Sequence, residues 1–159
     1  MTWRAGVVTV SDRSSRGERA DASGPLLAEL LRELGLTVRE PVVVPDEVEA
    51  VQAAVREAAA AYDLVVTTGG TGLSPRDVTP EATRPLLDRE VPGIAEAVRQ
   101  RSAERVPTSV LSRGLVGTIG TALVVNLPGS PGGVRDGVAV LAPVLDHALA
   151  QLRGGGDHA

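Results

Sequence analysis

The stretch Leu64-Val65-Val66-Thr67-Thr68-Gly69-Gly70-Thr71-Gly72 decides how the rest of the chain is read. Leu64 to Val66 are consecutively apolar rather than alternating, as in a strand buried on both faces of a parallel sheet. Three glycines and three threonines then fill Thr67 to Gly72. At the carboxyl end of a strand, such a loop lets backbone N–H groups converge on an anion with hydroxyls alongside. An ordinary turn is the simpler alternative, although a turn needs only one or two glycines. The segment has neither the lysine of a P-loop nor the spacing of a dinucleotide fingerprint.

Three other short apolar runs, Ala5 to Val10, Val42 to Val44 and Ala122 to Val125, repeat the pattern. Amphipathic stretches lie between them. One carries Leu26, Leu27, Leu30, Leu31 and Leu34 and stops at Gly35; a second carries Val48, Val51, Val55 and Ala58. Helices are also predicted over Pro80 to Asp88, capped by Thr79, over Gly93 to Arg105, and from Val134 to Leu152 with a bend at Pro143. Ser109 to Gly120 reads as a short extra hairpin, with Thr108 to Leu111 as a candidate strand. The expected fold is an α/β three-layer sandwich, a mostly parallel sheet covered by helices on both faces. Residues 1–153 form one domain in this reading, and residues 154–159 a disordered tail.

Composition limits the chemistry. The 159 residues are 43% hydrophobic but include 1 Trp, 1 Tyr and no Phe, so the core is aliphatic. A net charge of −4 and the scarcity of aromatic residues argue against a nucleic-acid partner. There is no Cys and every basic residue is Arg, which excludes thiol nucleophiles, Cys-ligated zinc and Schiff-base lysines. His147 falls on a periodic helix and His158 in the tail, so neither reads as catalytic. No secretory leader or run of apolar residues long enough to span a membrane is seen, and the expected location is cytoplasmic.

Ligands of such sheets bind beyond the carboxyl ends of the strands, where four loops compete for attention. The first, Ser11 to Gly24, is too long for a simple connection. Its Arg13, Arg16 and Arg19 are either phosphate clamps or solvated charges, and Ser23 has the position of a helix cap. Asp46, with Glu49 three residues on, fits a capping arrangement. Asp77 follows the glycine loop, and two carboxylates beside a phosphate cradle suit Mg²⁺. The fourth loop, Asn126 to Gly133, pairs stiff prolines with close-approach glycines, and an exposed Asn126 amide there can read a base or pterin edge.

Val44-Pro45-Asp46-Glu47, Thr68 to Gly72 with Pro75-Arg76-Asp77-Val78-Thr79-Pro80-Glu81-Ala82-Thr83, Leu111-Ser112-Arg113 and Asn126-Leu127-Pro128-Gly129 together resemble the molybdopterin adenylyltransferase family of molybdenum cofactor biosynthesis, with its Mog/MoaB fold. The similarity runs in order from about Arg4 to Leu152. It implies Mg²⁺-assisted adenylylation of molybdopterin by ATP, a homotrimer or hexamer, and a downstream molybdenum insertase as partner. By the resemblance, Asp46 and Asp77 are catalytic and hold the metal. Gly69, Gly70, Thr71 and Gly72 cradle a phosphate or the pterin, Arg76 is counted with the substrate-binding residues, and Ser102 lies near the molybdopterin phosphate. Asn126, Pro128, Gly129 and Ser130 line the same pocket, bordered by Ser11, Asp12, Asp21, Ser23 and Gly24. Relatives often continue the last motif as Asn-Pro-Asn where this chain has Ser130-Pro131-Gly132-Gly133. The competing readings are a non-catalytic molybdopterin-binding carrier or scaffold and a flavin or nicotinamide oxidoreductase; the missing dinucleotide fingerprint weighs against the latter.

Overall fold

The computed structural model describes residues 2–155. Seven strands form one sheet: β1 (Arg4–Val10), β2 (Thr37–Val38), β3 (Val42–Val44), β4 (Leu64–Thr68), β5 (Arg89–Glu90), β6 (Val116–Ile119) and β7 (Ala122–Leu127). Their order is β2-β1-β4-β7-β6-β5, with β3 also pairing β1. The pairs β1–β2, β1–β3, β1–β4 and β4–β7 are parallel, whereas β6 runs antiparallel to both β5 and β7.

Helices α1 (Asp12–Ser15), α2 (Ser23–Glu33), α3 (Val48–Ala61), α4 (Thr79–Thr83), α5 (Pro92–Ala103), α6 (Pro131–Leu141) and α7 (Leu145–Leu152) fill the connections. Two buried clusters sit on opposite faces of the sheet. On one, Ala5, Val7, Leu64, Val66, Leu123 and Val125 meet Leu27 and Leu31 of α2, Val98 of α5, Leu141 of α6 and Leu149 of α7. On the other, Val8, Val10, Val65 and Val124 meet Val51 and Val55 of α3 and Ala82 of α4. The side-chain alternation of each strand thus feeds both cores, the three-layer arrangement expected from consecutively apolar strands.

Several expectations change in detail. The terminal amphipathic stretch is not one bent helix: α6 ends at Leu141 and α7 begins at Leu145, with Pro143 between them. The helix expected over Pro80 to Asp88 is α4 followed by one 3-10 turn, Arg84–Leu86. Pro107–Leu111 is also a 3-10 helix, not a strand, and the hairpin of this region joins β6 to β7 through Gly120. Gly154 and Gly155 hydrogen-bond back to Gln151 and Ala150 at 2.9 Å, closing α7 rather than beginning a tail; residues 156–159, His158 included, lie outside the described residues. Among the described residues, no helix is long and apolar enough to cross a membrane.

Both ends of the described chain are fastened at the amino edge of the sheet. Trp3 Nε1 donates to Asp146 Oδ1 at 2.7 Å, and Asp63 accepts from the Arg4 amide at 2.9 Å and from the Arg153 guanidinium.

Candidate active site

At the carboxyl edge, the ends of β1, β3, β4 and β7 deliver four loops to one place, as parallel register requires. The glycine loop after β4 is pinned from three sides. Gly69 N donates to Leu127 O at 3.0 Å, Thr79 N donates to Gly70 O at 3.0 Å, and Thr79 Oγ1 donates to Gly69 O at 2.9 Å. Gly69 and Gly70 have φ of +102° and +69°, the left-handed region that side chains disfavour. Thr79 is therefore a buried clamp on this loop and not a helix cap; Val78 occupies the cap position without a side-chain bond.

Asp46 is likewise no cap. Glu47 precedes α3 and makes no side-chain cap bond. Asp46 is instead locked to Asp12 by reciprocal bonds: Asp12 N donates to Asp46 Oδ2 and Asp46 N to Asp12 Oδ1, both at 2.9 Å. Arg76 grips Asp12 with two donors, Nε to Oδ2 at 3.0 Å and Nη2 to Oδ1 at 3.1 Å. The electrostatics of the pair diverge. The Arg76 hydrogen bond, helped by the Asp46 amide, holds the Asp12 carboxyl below its ordinary range, whereas burial, then the neighbouring charges of Asp12 and Asp77, push Asp46 up.

Asp77 turns the loop by accepting from Ser74 N through Oδ2 at 3.1 Å. Arg113 braces that loop from the opposite side: Nε donates to Gly72 O at 2.9 Å, Nη2 to Asp77 O at 3.0 Å, and its amide to Thr71 O at 2.8 Å. Glu81 completes the brace at 2.5 Å.

Beside the glycine loop lies a cleft of about 510 Å³, lined by Gly69 to Gly72, Asp77, Ser102, Pro128, Gly129 and Ser130, together with Arg105 and Asp136. A smaller hollow of about 270 Å³ shares Gly69 and Gly129 with it and holds Ser11, Asp21 and Ser23 of the first loop. The structure thus brings most of the expected residues to one edge. Asp12, Asp46 and Arg76 form a cluster outside the lining of either cavity, joined to it at Gly70, whose Cβ would stand 3.1 Å from Asp46 Oδ1. A third hollow, about 430 Å³ between α3 and the β1–β3 side of the sheet, contains none of these residues.

Two assignments need correction. Asn126 is 5% exposed and its amide is fully engaged, donating to Thr67 Oγ1 and Thr83 Oγ1 and accepting from Leu115 N, so it ties strands together and presents no edge to a ligand. Ser23 makes no cap bond; Asp21 does that work, accepting from Gly24 N at 3.0 Å while Thr9 Oγ1 donates to its other oxygen. Gly24 is required there because a Cβ would fall 2.3 Å from Asp21 Oδ2. Of the two readings open for Arg16, the structure shows the surface charge, paired with Glu18, while Ser130 lines the cleft as expected and also caps α6 by accepting from Gly133 N at 3.1 Å. Sequence reasoning gave no role to Arg113, Arg105 or Asp136, although Arg113 stands in the quoted Leu-Ser-Arg motif, the one signal available for it.

Residues 6–147 match a family model described as a probable molybdopterin binding domain. The chain is 39% identical to the molybdopterin adenylyltransferase of Pyrococcus furiosus, over 96% of this chain and 92% of that one. It superimposes on the molybdopterin biosynthesis enzyme MoaB of Thermus thermophilus with a TM-score of 0.90 and 45% identity, covering 98% and 99% of the two chains. The tungsten cofactor synthesizing protein MoaB of Pyrococcus furiosus gives a TM-score of 0.88 at 39% identity, covering 96% and 98%. Two longer relatives are matched only in part: the chain spans 22% of a gephyrin from Dictyostelium discoideum and 48% of a molybdenum cofactor biosynthesis bifunctional protein from Synechococcus elongatus. With the sheet, the loops and the near full-length relatives in agreement, this chain belongs to the molybdopterin adenylyltransferase family of molybdenum cofactor biosynthesis.

Proposed function

We propose that the chain transfers the adenylyl group of ATP to the terminal phosphate of molybdopterin. A phosphate oxygen of molybdopterin attacks the α-phosphorus of ATP, the bond to the β-phosphate bridging oxygen breaks, and pyrophosphate leaves. One observation carries this reading: Asp46 stands against Gly70 and Asp77 against Gly72 of a loop that lines a cleft and is held by positive φ at Gly69 and Gly70. The nucleophile is already anionic, so the lack of Cys and Lys and the absence of any His from the site are no obstacle.

The residue types fit Mg²⁺. In each of Asp46 and Asp77 one carboxylate oxygen accepts a backbone N–H and the other makes no hydrogen bond among the described residues. Two protein carboxylates leave the rest of a Mg²⁺ shell to water and substrate phosphates. Asp46 and Asp77 would hold it, and it would supply charge neutralisation at the reacting phosphates. The chain's own contribution is placement. Asp12 and Arg76 fix Asp46, Arg113 fixes the Asp77 loop, and Gly70, Thr71 and Gly72 offer backbone N–H donors to phosphate, the Gly69 N–H being taken by Leu127 O.

The test is incubation with molybdopterin, ATP and Mg²⁺. Adenylated molybdopterin and pyrophosphate should appear in equal amounts; tight molybdopterin binding without either product would make the protein a carrier. The homotrimer or hexamer, the downstream insertase and a cytoplasmic location belong to the same proposal. Light scattering of the purified protein checks the first of these.

A further inference from the structure

Among the residues that line the cleft, Arg105 is the only basic one, and Asp77 and Asp136 are the acidic ones. Arg105 follows α5 with its side chain 61% exposed, but it is anchored from behind by Asp136, whose side chain is 9% exposed. Arg101 approaches the other carboxylate oxygen at 3.5 Å without lining the cleft. A guanidinium has five N–H donors, so one anchored in this way keeps donors free for an anion in the cleft.

Ser102 is the residue that the family resemblance places near the substrate phosphate. Its Oγ donates to Asp136 Oδ2 at 2.9 Å, and the residue is 4% exposed. A hydroxyl carries one proton, and a carboxylate partner can only accept. Ser102 therefore has no donor left for a phosphate oxygen.

We propose that Arg105 binds the terminal phosphomonoester of the substrate in this cleft, that Asp136 is its positioning residue, and that Ser102 is a strut between α5 and α6. This rests on the adenylyl-transfer reading and gives its phosphate contact to an arginine. The cleft offers a single side-chain cation to a ligand of high negative charge, and the carboxylate behind it fixes where that cation stands.

Calorimetric titration with molybdopterin and with its dephosphorylated form, without ATP or Mg²⁺, tests this. Wild type should prefer the phosphorylated ligand. Arg105→Gln should lower affinity for it about 10-fold, flatten its salt dependence and leave the dephosphorylated ligand unaffected, while Arg105→Lys recovers part of the loss. Asp136→Asn, which still accepts from Ser102, should weaken only the phosphorylated ligand, by about 3-fold or more. Ser102→Ala should keep the preference. Equal losses for both ligands in Arg105→Gln, or a selective loss in Ser102→Ala, overturn the assignment and leave adenylyl transfer standing. A wild type that binds neither ligand defeats both.

Discussion

Two glycine-rich loops meet at the carboxyl edge of the sheet, and glycine serves them differently. In the loop after β4, Gly69 and Gly70 have positive φ, and a Cβ on Gly69 would fall 2.3 Å from Val10 O. In the loop after β7, no glycine has positive φ. There a Cβ on Gly129 would stand 3.3 Å from Gly69 Cα and one on Gly133 2.9 Å from Pro128 Cβ, while one on Gly132 would meet nothing within 4 Å. The first loop is a shaped backbone surface that only glycine can make. The second is a packing spacer that abuts it and launches α6. Glycine content alone does not distinguish the two; conformation does.

The comparison can be broken most decisively at the end of the first loop. Asp77→Asn keeps an acceptor for Ser74 N, so folding should persist while adenylylation falls by about 10²-fold or more. Wild-type turnover would reduce Asp77 to a turn residue. Next in size is Gly69→Ala, which forces a side chain into left-handed backbone against a carbonyl and should cost roughly 1–3 kcal/mol in a urea titration. An unchanged midpoint would show that the loop relaxes freely and that the distinction between the two loops is empty.

A smaller effect is expected at Asp46, against which Gly70 is packed. Burial raises its pKa, so in the folded state its charge is disfavoured: the stability it contributes is full below the unfolded value and is lost as pH rises through the raised folded value. Asp46→Asn removes that penalty. It should raise the Tm at pH 7 and by less at acid pH, where the wild-type carboxyl carries less charge, while adenylylation is lost. Asp12 has the opposite sign, its stabilisation present at neutral pH and lost as pH falls through its lowered value, and the substitution leaves that limb in place. Equal Tm gains at both pH values would disconnect Asp46 from the titration. The smallest change is Gly132→Ala. It adds a methyl in open space within α6 and should leave stability within about 0.5 kcal/mol or raise it slightly. A loss above about 1 kcal/mol would mean the second loop is shaped too.

The strands were legible where apolar residues run consecutively, as from Leu64 to Val66, and illegible where they continue through polar ones. β4 extends through Thr67 and Thr68 and β7 through Asn126 because these residues satisfy one another or nearby backbone, with Asn126 Nδ2 donating to Thr67 Oγ1 at 2.9 Å. No local pattern announces such a pairing. Caps failed for a related reason. Ser23, Asp46 and Thr79 are all residue types that cap helices, but a cap needs its helix to begin at the next residue; α2 begins at Ser23 itself, α3 at Val48 and α4 at Thr79. Asp46 is bonded instead to Asp12 of the first loop, and Thr79 to the glycine loop just before it. The convergence of the glycine loop with Asp77 was legible because both lie in one short segment. The bond between Arg105 and Asp136 was not, because it joins the turn after α5 to α6, which only the fold brings together.

The anchoring of Trp3 to Asp146 and of Arg153 to Asp63 has a consequence for architecture beyond this chain. Both points lie at the amino edge of the sheet, across its full depth from the glycine loops. Polypeptide added before one or after the other would leave from the edge opposite the glycine loops. The domain is in this sense a cassette that can be wired in series with others. The stretches of Dictyostelium gephyrin and of the Synechococcus bifunctional protein that align with it fill 22% and 48% of those longer chains.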